Sequence, residues 1–182
     1  MRDENRDKNR TRETPDGKKA TAPEFLRRMY AHPCAVRSLR VLNVVAVLAV
    51  ALAAGTGLAL LLSRGEYRTA LSVLLITGVP FALVTLLRRI LHAPRPYDLY
   101  GFCDTPPKKR ASGSFPSRHV FSAFSVGTLF CFFSLPAGIS LLLLGVLIAL
   151  CRVFLGIHFP RDVVAGALIG VLSSVIGCII FF

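Results

Sequence analysis

The sequence predicts an all-α protein, a polytopic membrane helical bundle with about five transmembrane helices. Three observations predict it. Hydrophobic residues make up 53% of the 182, and mean hydropathy is +0.59, above that of ordinary soluble domains. Charged and apolar residues fall in separate stretches rather than alternating. The apolar stretches have the length of membrane helices, about 20 residues, and not of the roughly ten-residue alternating strands of a barrel.

Taken in order, residues 1–22 are polar, carry both signs of charge and lack large apolar side chains, so they are expected to form a disordered charged tail. A secretory signal would place its apolar core much nearer the first residue. Residues 23–40 mix Phe25, Leu26, Met29 and Tyr30 with Arg27, Arg28, Arg37 and Arg40, the pattern of a juxtamembrane segment lying at the membrane surface. Residues 41–182 form the membrane domain. Its first span runs from Val41 to Leu62 without a charge, and a polar link, Ser63 to Arg68, leads to a second from about Thr69 to Leu91. Gly78 and Pro80 mark a kink inside that span, and Arg88 and Arg89 mark its end. Residues 92–117 are rich in Pro, Gly, Lys, Arg and Asp and form a loop long enough to expect a function for it. Three more apolar runs follow, about Ser117 to Leu135, Ala137 to Cys151 and Arg161 to Phe182, separated by Pro136 with Gly138 and by Arg152 to Pro160. No internal repeat is evident, which argues against an inverted-repeat transporter.

The 22 Lys and Arg outnumber the 10 Asp and Glu, giving a net charge of +12. Such a balance fits nucleic acid, anionic lipid or a phosphorylated substrate, and the long spans exclude the first. The expected partners are the lipid bilayer and a membrane lipid phosphate, in a multi-pass protein of the cell membrane. Cys34, Cys103, Cys131, Cys151 and Cys178 have no metal-ligand spacing, and three of them lie inside apolar runs, so they read as buried packing thiols.

Polar residues collect at three places: Arg88 and Arg95 after the second span, Ser117 and His119 at the start of the third, and Arg152, His158 and Asp162 between the fourth and fifth. If the spans alternate direction, all three lie on one side of the membrane. Guanidinium forks bind phosphoryl oxygens in pairs without losing charge at neutral pH, which suits Arg88, Arg95 and Arg152. Pro116 and Ser117 open a helix whose free N–H groups favour an anion, making Ser117 and the Arg118 amide further donors. Pro160 suits a first helical position, so His158 and Asp162 flank the turn into the last helix. A carboxylate on one imidazole nitrogen fixes the tautomer and frees the other nitrogen to attack phosphorus.

Three blocks carry a family resemblance: Arg88-x6-Arg95-Pro96, Pro116-Ser117-Arg118-His119 and Arg152-x5-His158-x3-Asp162. In order and spacing they resemble the signature of the type-2 phosphatidic-acid phosphatase superfamily, which includes the vanadium haloperoxidases, over roughly residues 70–175. The resemblance implies a metal-independent phosphatase of the membrane lipid phosphatase branch, with no cofactor. His158 would form a phosphohistidine with Asp162 as its partner, His119 would protonate the leaving alcohol, and Arg88, Arg95, Ser117, Arg118 and Arg152 would bind phosphate. The chain departs from the family pattern at Arg88, where Lys is usual, at Arg118, where Gly is usual, and at Cys151, where Ser is frequent. Arg118 keeps the backbone N–H and adds a cation beside the phosphate.

Candidate substrates are phosphatidate, phosphatidylglycerol phosphate and polyprenyl phosphates or diphosphates, with an undecaprenyl-diphosphate phosphatase as a narrower alternative. A non-catalytic lipid-phosphate-binding protein is the alternative outside enzymes, and a haloperoxidase is disfavoured because those enzymes are soluble. Taken singly, Arg88 or Arg152 could merely snorkel to the interface, and His32 and His92 read as ordinary polar residues. Lys108-Lys109-Arg110 reads as a solvated or headgroup-binding patch, and Tyr97, Asp98 and Tyr100 as loop residues over the pocket. Family members commonly have six spans, and the five expected here correspond to that set without its first. Five spans put 20 of the 22 basic residues on the side of the catalytic loops, leaving Arg64 and Arg68 opposite, and the positive-inside rule then orients the active site towards the cytoplasm.

Overall fold

The computed structural model describes residues 22–100 and 113–182. The charged tail through residue 21, Cys103 and the Lys108-Lys109-Arg110 patch lie outside the described residues. The elements are α1 (Glu24–Tyr30), α2 (Pro33–Ser63), α3 (Tyr67–Leu91), α4 (Pro96–Tyr100), α5 (Arg118–Phe133), α6 (Leu135–Phe154) and α7 (Pro160–Phe181), with no strand among the described residues.

Four of these, α2, α3, α6 and α7, are long and apolar enough to cross a membrane. Proline occupies the first turn of α2, α6 and α7, where its missing N–H is lost to no partner. Residues 33–40 continue into α2 as one helix, because no Gly or Pro follows Pro33 until Gly55. Pro80 lies inside α3 without ending it. The long helices expose leucine and isoleucine outward, Leu52 at 72% and Ile179 at 74% among them, as a bundle solvated by lipid chains must.

The fifth apolar helix, α5, has 16 residues, short of the roughly 20 needed to span hydrocarbon. It occupies the centre, packed mainly on α6 and α7, and its Val120, Phe121 and Ala123 are buried. Shielded by longer neighbours, it does not have to match the bilayer alone. Small residues make the close approach possible. A Cβ built on Gly166 would stand 2.6 Å from the Ser117 carbonyl, and one on Gly170 2.6 Å from the Phe121 carbonyl. One turn further on, Ser174 and Ser125 hydroxyls pair at 2.8 Å. These residues, four apart on α7, form a small-residue seam that lets two membrane helices touch backbone to backbone.

Short α1 docks under the α6–α7 connection. Leu26 is buried, Phe25 meets Phe154 edge to face at 6.0 Å, and the Tyr30 hydroxyl donates to the Leu155 carbonyl at 3.0 Å. Of the cysteines, Cys151 and Cys178 are buried as expected, whereas Cys34 is exposed in the first turn of α2, a correction to its reading as a packing thiol.

Candidate active site

The structure brings the three polar clusters together at one end of the bundle, and backbone contacts do most of the joining. After α3 the chain passes through His92 in the left-handed region, and the Ser114 N–H donates to the Ala93 carbonyl at 2.7 Å. Arg88, buried at 2% exposure, turns Nη1 inward and donates it to the carbonyls of Ser114, at 2.9 Å, and Pro116. Its charge therefore lies directly behind the segment that enters α5. Ser117 caps α5 in extended conformation, and its N–H donates to the Asp162 carbonyl at 2.9 Å. That bond ties the second block of residues to the third.

The turn between α6 and α7 is built around Gly156, whose φ of +60 is a left-handed conformation that glycine adopts without strain. The Gly156 carbonyl accepts from the Tyr97 N–H at 3.1 Å, which fastens α4 and the adjacent Arg95 to the same turn. Arg95 lies over the Tyr97 ring at 5.7 Å. At the start of α7, Asp162 reaches back so that Oδ2 accepts from the Phe159 N–H at 3.1 Å, fixing the carboxylate in the first turn.

His158 and Asp162 are both buried, with Nδ1 3.6 Å from Oδ2. Between them sits Ser114, fully buried, whose hydroxyl donates to Asp162 Oδ2 and stands 3.3 Å from His158 Nδ1. The arrangement is a triad in which Nδ1 is engaged and Nε2 is the imidazole's other face. Burial pushes the His158 imidazole below its ordinary range. The Asp162 hydrogen bond opposes that shift, and the positive charges of Arg152, Arg95 and Arg88 add to it. A neutral imidazole is the nucleophilic form.

The remaining residues take the following places. Arg152, in the last turn of α6, is half-buried and donates Nε to Asn43 Oδ1 of α2 at 3.1 Å. The Ser117 hydroxyl is buried without a protein partner at the N-terminus of α5, where an anion would meet it. Arg118 is half-buried and His119 exposed in the first turn of that helix, with His119 within electrostatic reach of His158, Arg152, Arg118 and Arg88. Exposed Arg161 lies over the Phe159 ring at 5.2 Å and approaches Asp162 Oδ1 to 3.6 Å. Ser114 and Asn43 are the two site residues that sequence reasoning missed. Asn43 carried a signal, as the one amide side chain in the uncharged run from Val41 to Leu62. Ser114, an ordinary loop serine two residues before Pro116, carried none.

Removal of the bridging hydroxyl leaves the carboxylate and imidazole without a shared donor. Ser114→Ala is expected to lower kcat/KM for phosphate release roughly 10- to 100-fold, the range for a hydrogen bond to a charged group. Assay of the purified variant against Ser114→Thr, which retains a hydroxyl, checks it.

A family model described as the PAP2 superfamily matches residues 69–182. Bacitracin transport permease protein BcrC of Bacillus licheniformis is 44% identical over 61 residues, which is 34% of this chain and 30% of that protein. The protein named putative undecaprenyl-diphosphatase YbjG of Escherichia coli is 41% identical over 70 residues, 38% of this chain and 33% of that one. The alignments thus span about a third of the length of these curated relatives. The fold is similar to the crystal structure of a transmembrane PAP2-type phosphatidylglycerolphosphate phosphatase from Bacillus subtilis, with a TM-score of 0.64 and 21% identity over 86% of this chain and 82% of that one. Aquifex aeolicus LpxE gives 0.63 and 26% over 85% and 93% respectively.

Proposed function

The chain belongs to the PAP2 superfamily, and from that premise we propose that it is an integral membrane phosphatase acting on a lipid phosphate monoester or diphosphate through a phosphohistidine. The observation that carries the reading is the meeting of the Ser114–His158–Asp162 triad with Arg88, Arg95, Arg152 and the N-terminus of α5 at one end of an apolar bundle. A substrate whose chains stay in the bilayer can present its phosphate there without leaving the membrane.

In the proposed reaction His158 Nε2 attacks phosphorus in line with the leaving oxygen, while Asp162 and Ser114 hold Nδ1. The P–O bond to the lipid breaks as the N–P bond forms, and His119 gives its proton to the departing oxygen. Water then attacks phosphorus with His119 accepting a proton, the N–P bond breaks, and inorganic phosphate leaves. Charge on the equatorial oxygens is met by Arg88, Arg95, Arg152, the Ser117 hydroxyl and the Arg118 amide, so no step calls for a metal. Because Arg88 already holds two carbonyls through Nη1, its contribution is mainly the field of a fixed charge at short range.

Among lipid phosphates, the relationship to YbjG favours a polyprenyl diphosphate. The test is phosphate release by purified protein in detergent, with chelator present, from phosphatidate, phosphatidylglycerol phosphate and undecaprenyl mono- and diphosphate. Release from at least one of them is expected, with the undecaprenyl diphosphate fastest. A requirement for magnesium would overturn the mechanism, and binding without turnover would favour a lipid-phosphate carrier. The excess of basic residues on the side of the catalytic loops supports a site facing the cytoplasm, and a reporter fused at the carboxyl terminus is then expected to report from the opposite side.

The depressed His158 pKa fixes a pH dependence. Protonation removes the nucleophile, so the acidic limb of kcat/KM assigned to His158 should fall below the ordinary imidazole value of about 6.5. A pH–rate profile with that limb at or above 6.5 would contradict a buried, arginine-flanked nucleophile.

A further inference from the structure

Helix α2 lies outside the stretch matched by the family model, yet it reaches the site. Its buried face is Val36, Asn43, Ala46 and Val50, a helical stripe that packs on α6. Asn43 is the polar member, 8% exposed, in a position where the stripe otherwise carries aliphatic side chains. An amide removed from both water and lipid is retained only at a cost unless it is hydrogen-bonded. Its Oδ1 accepts from Arg152 Nε at 3.1 Å.

The guanidinium is planar and rigid, so a bond at Nε sets the direction in which the two terminal nitrogens point. Those two nitrogens form the edge that binds a pair of phosphoryl oxygens. The acceptor is also neutral. A carboxylate in its place would hold the arginine equally well and cancel the charge that the phosphate needs.

We propose that Asn43 is a positioning residue for phosphate binding: α2 supplies a neutral acceptor that fixes the Nε side of Arg152 and aims its terminal nitrogens into the site. The assignment rests on Arg152 acting as a phosphate ligand in the proposed phosphatase.

The experiment is a double-mutant cycle on the full chain in detergent, comparing wild type, Asn43→Leu, Arg152→Ala and the double variant. Leucine repeats the heavy-atom count and branching of asparagine without its polar atoms but is bulkier, so Asn43→Ala, which adds no volume to the stripe, serves as a second variant. Two readouts are taken: kcat and KM for lipid phosphate hydrolysis, and binding of inorganic phosphate by calorimetry. Asn43→Leu is expected to raise KM and weaken phosphate binding roughly tenfold, the size of one hydrogen bond to a charged group, with a smaller change in kcat. In the Arg152→Ala background the same substitution should change either quantity less than about twofold, because nothing is left to aim. Equal losses in both backgrounds would show a merely structural asparagine and overturn the proposal, as would unchanged phosphate binding in Asn43→Leu. If the wild type binds phosphate but releases none from lipids, the phosphatase reading fails while the cycle on phosphate binding still decides the role of Asn43.

Discussion

His158→Ala protein should insert and fold like the wild type and release phosphate at least ~10⁴-fold more slowly, as expected when a covalent nucleophile is removed. No other imidazole can stand in. His119, the nearest candidate, is exposed in the first turn of α5 and lacks the carboxylate and hydroxyl that hold His158 Nδ1. Folding should survive, because His158 sits in a turn whose backbone is held independently by Gly156, Tyr97 and the Phe159–Asp162 bond. Removing the imidazole also leaves Ser114 hydrogen-bonded to Asp162, so the buried carboxylate keeps its donor. With labelled substrate, the wild type should trap an acid-labile phosphoprotein and the variant none. Residual activity within tenfold of wild type, or labelling that persists in the variant, would remove His158 from the reaction.

The second large effect is on the bundle. Gly170→Leu places a branched side chain where the Phe121 carbonyl is 2.6 Å from the first added carbon and the Ser125 nitrogen 3.0 Å. Both are backbone atoms, so no rotamer relieves the clash and α7 must withdraw from α5. Overpacking of this kind costs about 1–3 kcal/mol or more, which for a chain of this size lowers Tm by roughly 2–12 °C. The withdrawal also stretches the Ser117–Asp162 backbone bond about two turns away, so activity should fall beyond what the loss of folded protein explains. Gly78→Leu is the control: nothing lies within 4 Å of a Cβ there, and neither Tm nor activity should change appreciably. Scanning fluorimetry in detergent with a parallel assay separates the two positions, and equal tolerance of both would refute the tight seam.

Much of this was legible in the sequence because membrane burial and phosphate chemistry leave strong marks. Uninterrupted apolar runs gave the long helices, and polar residues at the ends of those runs had to share one membrane face. Arg88, Ser117, Arg152, His158 and Asp162 duly meet at one end, joined by Arg95 through α4. Ser114 was hidden because a loop serine is chemically ordinary until the fold presses it between an imidazole and a carboxylate. The start of α2 at Pro33 was missed because charge, which reports depth in the membrane, does not report helix ends. Gly166, Gly170 and Ser174 stood four apart in plain view, but spacing alone names no partner helix. Only their contact with α5 gives the seam its meaning.

That seam sets the distance between the two halves of the reaction. The proposed acid rides on α5 and the proposed nucleophile on the threshold of α7, and their separation is set by backbone contact at Gly166 and Gly170 and by the Ser125–Ser174 hydroxyl pair rather than by large interlocking side chains. Lipid-facing leucines and isoleucines can then be exchanged as a membrane's thickness or composition changes, without retuning the chemistry. A bundle so divided into a tightly packed spine and a lipid-facing coat can meet a different bilayer with its outer side chains while its reacting atoms stay in register.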